Sequence, residues 1–544
     1  MPELVGIGVS PGRSAGPVFR LAPPPALPEV APPVTDPDAE VAAARSALAG
    51  VAAALRARAA SVSGAAAEVL ETQAMMAADS TLATAVAARV ARGSAAAWAI
   101  TEAIAEQRET FAQLGGYFAE RAADLADIGD RAVADLLGEP MPGLPSPGEP
   151  FVLTAEDLSP ADTAVLDPAD VLAIVTRRGG PTSHTAILAR AMGLPAVVGC
   201  PDVVTLADAT VVSVDGTTGQ VTVIDPGEAA GIRERAAADR ARLAALTGPG
   251  RTADGHPVPL LLNVGGAADL TDDAEGVGLF RTEFLFLGRT SAPTVAEQQA
   301  AYTELFAALG QRRVVVRTLD AGADKPLPYL GLAQEENPAL GVRGLRVARA
   351  NPTVLTDQLT AIAGAASATD AQVWVMAPMV ATPAEAAGFA QAVRAAGLAV
   401  AGAMVEVPAA ALHARRLLDH VDFVSIGTND LSQYTLAADR MSSDLADLLD
   451  PWQPAVLDLV ATCAAAGREA GKPVGVCGEA AGDPLLALVF VGLGVTSLSM
   501  SAPSVPAVRA SLAGVTLERC AELARIAVDA PDARTARQAV AATI

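Results

Sequence analysis

The second half of the chain alternates short apolar runs with stretches patterned as helices. Runs of this length, bounded by Gly, Pro or polar clusters, are typical of buried strands. Eight strand–helix units in roughly 290 residues match the number of units and the length of a (β/α)₈ barrel. We therefore predict a barrel from these strand candidates, which read VPLLLN, VGLF, RVVVRT, VWVMAP, AGAMVE, VDFVSIG, PVGVCG and TSLSMS.

The first half has a different pattern. Residues 3–20 read as two strands around a Gly/Pro turn, and the apolar runs VLAIVT, AVVG, TVVSVDG and QVTVID follow between 151 and 226. An Ala-rich stretch from Asp36 to about Leu137 separates these parts, and its helical spacing favours antiparallel helices. The fold class is thus α/β multidomain: a small α/β domain with an inserted helical subdomain, then a TIM barrel. The predicted limits are 1–21 with 144–228 for the α/β domain, 22–143 for the helical subdomain, 229–250 for a linker helix and 251–544 for the barrel.

The charge and cysteine content narrow the possible partners and compartment. A net charge of −23 argues against nucleic acid and anionic membranes. The predicted insertion carries 8 Arg and 16 acidic residues, which suits a basic protein partner or merely a solvated face. The four cysteines form no CxxC motif, so we expect a reducing cytoplasm and no cysteine zinc site. Neither a signal peptide nor an apolar run of about 18 residues is evident, so no membrane span is expected.

One histidine occupies a distinctive position. The segment GGPTSHTAILAR places His184 after a glycine pair, at an expected helix start that Thr182 or Ser183 could cap. The free N–H groups and positive dipole end of a helix suit a phosphoryl group, and a neutral imidazole can act as a nucleophile. A surface histidine in a capping turn is the plain alternative.

Polar residues at the C-terminal ends of the barrel strands should meet at one rim, where such barrels hold their active sites. The arginines there would grip anionic oxygens, and Glu406 and Asp430 would suit Mg²⁺. Plainer pairings are possible, such as Arg281 with Glu283. The residues expected at the rim are Asn263, Arg281, Arg317, Glu406, Asn429, Asp430, Cys477 and Ser499, with Arg343 after the third strand and Arg440 after the sixth.

Two further residues could carry chemistry. Cys477 lies in GVCGEAAGD, where the glycines let a ligand approach, and its thiol could deliver a proton to carbon. It could equally be a buried apolar filler. Lys325, one of two lysines in the chain, could support a phosphate or pair with Asp320 or Asp324.

Together these residues resemble Enzyme I of the bacterial phosphotransferase system, the family of phosphoenolpyruvate–protein phosphotransferases. The similarity extends over essentially the whole chain. The motifs that carry it are GIGVSPGRSAGP, ERAADLADIGDR, GGPTSHTAILARAMGLPAVVG, EGVGLFRTEFLF, VVVRTLDAGADKPLPY, EENPALGVRGLR, MVEVPAAA, DFVSIGTNDLSQYTLAADR and VCGEAAGD.

The resemblance implies a mechanism. His184 would take the phosphoryl group from phosphoenolpyruvate on its Nε2 atom, and Cys477 would protonate the enolate to pyruvate. Glu406 and Asp430 would bind Mg²⁺, and the α/β domain would swivel to carry the phosphohistidine to its acceptor. The residues implied to hold the substrate are Arg281, Arg317, Arg343, Asn429 and Arg440.

The resemblance also implies partners. The helical subdomain would dock HPr, a carrier protein whose histidine receives the phosphoryl group in the first step of sugar uptake. A homodimer through the barrel is expected by analogy. Pro181 departs from the family pattern, because an Arg is frequent there. The alternatives are a non-catalytic regulator that senses phosphoenolpyruvate, or a dikinase or synthase relative, for whose nucleotide domain the chain has no room.

Overall fold

The chain forms two compact units, Met1–Arg240 and Ala241–Ile544, and each is described by itself. None of the helices described combines the length and hydropathy needed to cross a bilayer. The computed structural model describes residues 3–59, 65–114, 116–139, 141, 144–163, 166–180, 183–271, 274–287, 289, 291–322, 327–333, 335–439, 445 and 447–544.

The first unit contains an eight-stranded sheet in the order β1-β8-β7-β3-β4-β5-β6-β2. Strands β3 to β6 run parallel, and the remaining pairs are antiparallel. The strands are β1 Glu3–Val5, β2 Ile7–Ser10, β3 Arg13–Arg20, β4 Phe151–Ala155, β5 Val171–Thr176, β6 Ala196–Val198, β7 Val211–Asp215 and β8 Gln220–Val223. Three helices accompany the sheet: α6 Pro160–Thr163, α7 His184–Met192 and α8 Pro226–Ala244.

A helical insertion interrupts this sheet between two neighbouring strands. Val18 on β3 lies opposite Val152 on β4, although the whole insertion separates them in sequence. Side chains such as Leu55, Leu82 and Ile100 form an interior core of their own. The inserted helices are α1 Pro37–Ala59, α2 Ala65–Ala77, α3 Ser80–Val90, α4 Ala96–Leu114 and α5 Gly116–Leu137.

The second unit is built on a closed barrel of parallel strands. The last strand closes on the first, with Met500 opposite Leu262. The predicted α/β multidomain fold with a TIM barrel is therefore confirmed, and each of the eight strand candidates overlaps one barrel strand. The strands are β9 Leu260–Val264, β10 Gly276–Arg281, β11 Arg313–Arg317, β12 Gln372–Ala377, β13 Val400–Val405, β14 Phe423–Ile426, β15 Val474–Val476 and β16 Ser497–Met500.

Helices surround the barrel and bury its outer surface. A large apolar cluster joins them to the strands and includes Phe306, Trp452 and Phe490. A smaller cluster fills the barrel interior and includes Met376, Met404, Phe423 and Cys477. The helices are α9 Val295–Leu309, α10 Val347–Ala350, α11 Pro352–Ser367, α12 Pro383–Ala395, α13 Pro408–Leu412, α14 Ala414–Leu418, α15 Thr428–Leu436, α16 Pro454–Ala470, α17 Pro484–Leu493, α18 Val505–Ala513, α19 Leu517–Val528 and α20 Ala533–Thr543.

Candidate active site

A ladder of alternating charges lies at the C-terminal end of the barrel. Arg317 ends β11 and places its Nη2 atom 2.9 Å from Glu283 Oε1 and its Nη1 atom 3.3 Å from Asp320 Oδ2. Arg343 continues the ladder, with Nη2 3.2 Å from Asp320 Oδ2 and Nη1 3.1 Å from Asp430 Oδ1. All five side chains are buried, so each charge depends on its neighbours rather than on water.

Neighbouring carboxylates disfavour the ionisation of Glu406, which directly follows β13. Its Oε1 atom accepts a hydrogen bond from the Met379 backbone N–H at 2.5 Å. Burial, and then the negative charges of Asp430 and Asp320, raise the pKa of Glu406 to about 8. An additional positive charge near Glu406 and Asp430 would therefore favour the ionised form of Glu406.

The ladder also fixes the state of Arg317. Burial acts to lower the pKa of its guanidinium, but the charges of Glu283, Asp320 and Glu406 outweigh burial and raise it. Its Nε atom has no hydrogen-bond partner among the residues that the structure describes. Arg317 is thus a fixed cation with one buried N–H that the described residues leave unbonded.

Cys477 directly follows β15 and is 2% exposed. Burial raises the pKa of its thiol to about 11, while a hydrogen bond with Ser425 and the charge of Arg317 act in the opposite direction. The Asn263 side-chain amide donates to the Cys477 carbonyl at 3.0 Å, and Ser499 Oγ donates to Asn263 Oδ1 at 2.6 Å. At neutral pH this residue is a protonated thiol, as an acid requires.

The remaining rim residues fall at the same end of the barrel. Arg281 ends β10 and is half-buried, and Asn429 is exposed in the first turn of α15 beside Asp430. The Arg343 Nη1 atom also donates to the Tyr434 hydroxyl at 3.4 Å. Two predictions, Arg440 and Lys325, lie outside the described residues.

His184 begins a helix in the first unit, as the sequence indicates. Ser183 is the N-cap of α7, and its hydroxyl accepts a hydrogen bond from the Ala186 N–H at 3.3 Å. The residue after the histidine, Thr185, donates to the Leu158 carbonyl at 3.5 Å. Thr182 and Pro181 lie outside the described residues.

Comparisons with known proteins cover both units. Three family profiles match: the N-terminal domain of PEP-utilising enzymes over residues 5–121, the mobile domain over 147–219 and the PEP-binding domain over 240–517. A phosphoenolpyruvate-protein phosphotransferase of Streptomyces coelicolor is 54% identical over 552 residues, which covers 99% of each chain. This chain belongs to the phosphoenolpyruvate-protein phosphotransferase family.

Other relatives are similar over part of the chain. A phosphoenolpyruvate-protein phosphotransferase of Haloferax volcanii is 45% identical over 77% of each chain. A solution NMR structure of an Enzyme I protein has 30% sequence identity, a TM-score of 0.36, and coverage of 43% of this chain and 99% of its own.

The candidate site includes residues to which sequence reasoning gave other roles. Glu283, considered as a partner of Arg281, pairs with Arg317. Asp320, considered as a partner of Lys325, joins Arg317 to Arg343. Their positions in the sequence could have indicated a place in the site, since both follow the end of a barrel strand within three residues.

A buried polar network that the sequence did not suggest lies behind the same candidate site. Gln358 on α11 accepts from the Leu319 N–H at 2.9 Å and donates to the Thr282 and Tyr302 hydroxyls at 3.0 and 3.1 Å. Thr282 in turn donates to the Arg317 carbonyl at 2.9 Å. The network thus fixes the backbone on both sides of the chain segment that carries Arg317.

The donor set fits a divalent cation. Of six groups in contact or close by, two are guanidiniums and four are carboxylates, so full ionisation leaves two negative charges in excess. Gly427 keeps the space beside Glu406 Oε2 open, because a Cβ there would lie 3.1 Å from that oxygen. No group of three or more His, Cys, Asp or Glu suited to a metal occurs among the described residues.

Proposed function

We propose that this protein phosphorylates itself on His184 with phosphoenolpyruvate and then transfers the phosphoryl group to the histidine of the carrier HPr. One observation carries the proposal: a buried arginine pair, a carboxylate pair and a protonated thiol share one end of the barrel. The full-length similarity to a named phosphotransferase supports it.

The arginines would bind the substrate. Phosphoenolpyruvate presents a carboxylate and a phosphate, and guanidinium groups bind such oxygen forks in bidentate fashion. Arg317 offers its Nε–H, and Arg281 reaches the same end of the barrel from the neighbouring strand. We assign Arg343, Arg440 and Asn429 to the same task on the strength of their motifs.

Glu406 and Asp430 would hold the metal ion, which we propose to be Mg²⁺. When bound, the ion would neutralise phosphate charge as the bond to phosphorus breaks. Glu406 would then lose the proton that its neighbours favour, while the Met379 N–H continues to orient its Oε1 atom. Arg343 holds Asp430 from the other side.

Cys477 would act as the general acid. When phosphorus moves to the imidazole, pyruvate leaves as its enolate, and the methylene carbon must gain a proton. The high pKa keeps the proton on the thiol at neutral pH until a carbon base of sufficient strength forms. Asn263 would orient the acid through the Cys477 carbonyl.

His184 would be the nucleophile, through Nε2. The helix start supplies backbone N–H groups and a positive dipole end, both of which favour a phosphoryl group. Phosphoryl transfer depends mainly on in-line placement and charge stabilisation, so His184 must reach substrate and carrier in turn. We propose that the α/β domain swivels for this purpose, that helices α1 to α5 dock HPr and that the protein dimerises through its barrel.

Intact-protein mass spectrometry tests the proposal. Incubation with phosphoenolpyruvate and Mg²⁺, without nucleotide, should add one acid-labile phosphoryl group to the wild type and none to His184→Ala. Addition of HPr should then move the group to HPr. An unlabelled wild type would contradict the proposal and favour the non-catalytic regulator.

A further inference from the structure

Three serine hydroxyls line one wall of the barrel interior, where branched aliphatic side chains normally fill the space. Ser425 lies on β14, and Ser497 and Ser499 lie on β16. Gly475 on β15 separates them; a Cβ at this glycine would lie 2.9 Å from Ser497 Oγ and 3.7 Å from Ser425 Oγ. We call these four residues the polar wall.

The polar wall borders a small cavity. Its volume of about 20 Å³ is sufficient for one water molecule, and Arg313, Trp374 and Pro473 also line it. Arg313 begins β11 and Pro473 precedes β15, so the cavity extends toward the N-terminal mouth of the barrel. Gly475 and Trp374, which line the cavity, are only half-buried, so both are partly accessible to water.

The upper end of the polar wall lies beside the proposed acid. Ser425 lies opposite Gly475 in the β14–β15 register, and the Cys477 N–H donates to the Ile426 carbonyl at 3.0 Å. Residues two apart on a strand face the same side of the sheet, so Ser425 and Cys477 both face the barrel interior on neighbouring strands. The thiol donates to the carbonyl of Ile426, the residue after Ser425, at 3.6 Å, and Ser425 lies close enough to act on the pKa of the thiol. The serine hydroxyls and the cavity thus lie between the thiol and the end of the barrel opposite the candidate active site.

We propose that the polar wall returns a proton from solvent to Cys477 after each turnover, through a water molecule in the cavity and the Ser425 hydroxyl. The proposal rests on the assignment of Cys477 as the general acid. It makes Ser425 a relay residue and gives the N-terminal mouth of the barrel, which such folds normally use only for stability, a part in the reaction.

The proton transfer balances. After the enolate has taken the thiol proton, an S–H bond forms as the Ser425 O–H bond breaks. The Ser425 oxygen takes a proton from the cavity water, and that water takes one from a solvent hydronium ion. The net change is one proton from solvent to sulfur, with each oxygen restored. The high pKa of the thiol makes this transfer favourable at neutral pH.

The route predicts a kinetic pattern that a structural role would not produce. The first turnover uses the proton already on the thiol, so it needs no relay. Each later turnover needs the thiol to be reprotonated. A broken relay should therefore leave a burst of one pyruvate per active site at the normal rate and slow only the turnovers that follow.

Rapid-quench measurement of pyruvate, with phosphoenolpyruvate, Mg²⁺ and excess HPr, tests this pattern in the full chain. Two variants interrupt the route differently: Ser425→Ala removes the hydroxyl, and Gly475→Ala fills the cavity. Both should slow the later turnovers by about 100-fold, the lower end of general acid–base effects. Ser425→Thr restores a hydroxyl and should recover most of the rate.

Control variants separate the possible failures. Ser511→Ala removes a hydroxyl from α18, where it donates to the Pro484 carbonyl, and should behave as wild type. Cys477→Ala should slow the first turnover itself. If Cys477→Ala is slow but Ser425→Ala and Gly475→Ala keep wild-type later turnovers, the proton returns another way and the route is wrong. A fast first turnover in Cys477→Ala would show that Cys477 is not the acid, and the proposed proton route would then be wrong as well.

Discussion

At the scale of single residues, Asp320 has the most consequential position. It pairs with both Arg317 and Arg343, so one carboxylate fixes two guanidiniums that we assign to substrate binding. The shared carboxylate orients both guanidiniums before binding, so substrate binding does not have to order either side chain. It also makes the site sensitive to loss of a single charge.

We expect Asp320→Ala to destabilise the protein by about 3 kcal/mol or more, because it leaves buried charge uncompensated. Urea unfolding measures the change. Arg349→Ala is the matched control, since it breaks an ion pair with Glu385 in which the arginine is 70% exposed. That change should cost no more than about 1 kcal/mol. Equal effects of the two variants would contradict the electrostatic account.

The four cysteines are buried in the folded chain. Burial raises the pKa values of Cys200, Cys463, Cys477 and Cys520 to about 11, 12, 11 and 11. An aromatic disulfide reagent at pH 8 should therefore modify none of them in the native protein and all of them in urea. Rapid modification of one native thiol would show that its burial is transient.

The same shifts fix a pH dependence. Each folded-state pKa lies above the unfolded value, so the folded form holds more protons between them. Stability is therefore complete below about pH 9 and declines as pH rises toward 11. Unfolding free energies should stay nearly level from pH 8 to 9 and fall from pH 9 to 11, and replacing Cys463 by Ala should reduce that fall.

Sequence reasoning located individual site residues but not their partners. Glu406, Asp430 and Cys477 could be placed because each directly follows, or starts a helix after, a barrel strand, and strand ends converge in this fold. The pairing of Asp320 with Arg317 could not be predicted from the sequence, because it depends on the path of the loop after β11. Loop courses are set by packing that periodicity does not encode.

At the scale of elements, α11 does more than cover the barrel. Gln358 on this helix is fully buried and joins α9, through Tyr302, to the segment that follows β11. A helix that packs only by apolar contact can slide slightly along a strand. These directional bonds define its position, and with it the backbone of Arg317.

We expect Gln358→Leu to lower the unfolding free energy by about 1–3 kcal/mol, because the Leu319 N–H and two hydroxyls lose a buried partner. The affinity for phosphoenolpyruvate should also fall, as measured by calorimetric titration. Thr360→Ala on the same helix removes an exposed hydroxyl that bonds only within the helix and should change neither quantity. An unaltered affinity in Gln358→Leu would show that the network does not influence substrate binding.

At the scale of the whole molecule, the two units have cores of their own. The large apolar cluster of the barrel unit includes Phe306 and Phe490, and the insertion and sheet of the first unit have separate clusters. The sequence pattern also changes near residue 250, where the predicted alternation of barrel strands and helices begins. The exact domain limits stay a prediction.

Thermal unfolding should therefore show two transitions. Phosphoenolpyruvate with Mg²⁺ at 100 times its Kd should raise the barrel transition by about 5 °C or more, because binding adds about 2.7 kcal/mol to one unit only. Differential scanning calorimetry tests this, with Arg317→Ala as the variant that should lose the shift. An equal rise of both transitions would contradict the assignment of the substrate to the barrel.

The place where the helical insertion enters the sheet has a consequence for biosynthesis. Val18 finds its partner in Val152, and Leu4 finds Val221, so no complete sheet can exist before the ribosome has delivered the strands on the far side of the insertion. The inserted helices make mostly local contacts, which form early. We therefore expect the inserted helices to fold first in the nascent chain, while β1 to β3 remain unpaired with the later strands. The sheet that accompanies the helix of His184 would then be completed only after the helical insertion has folded.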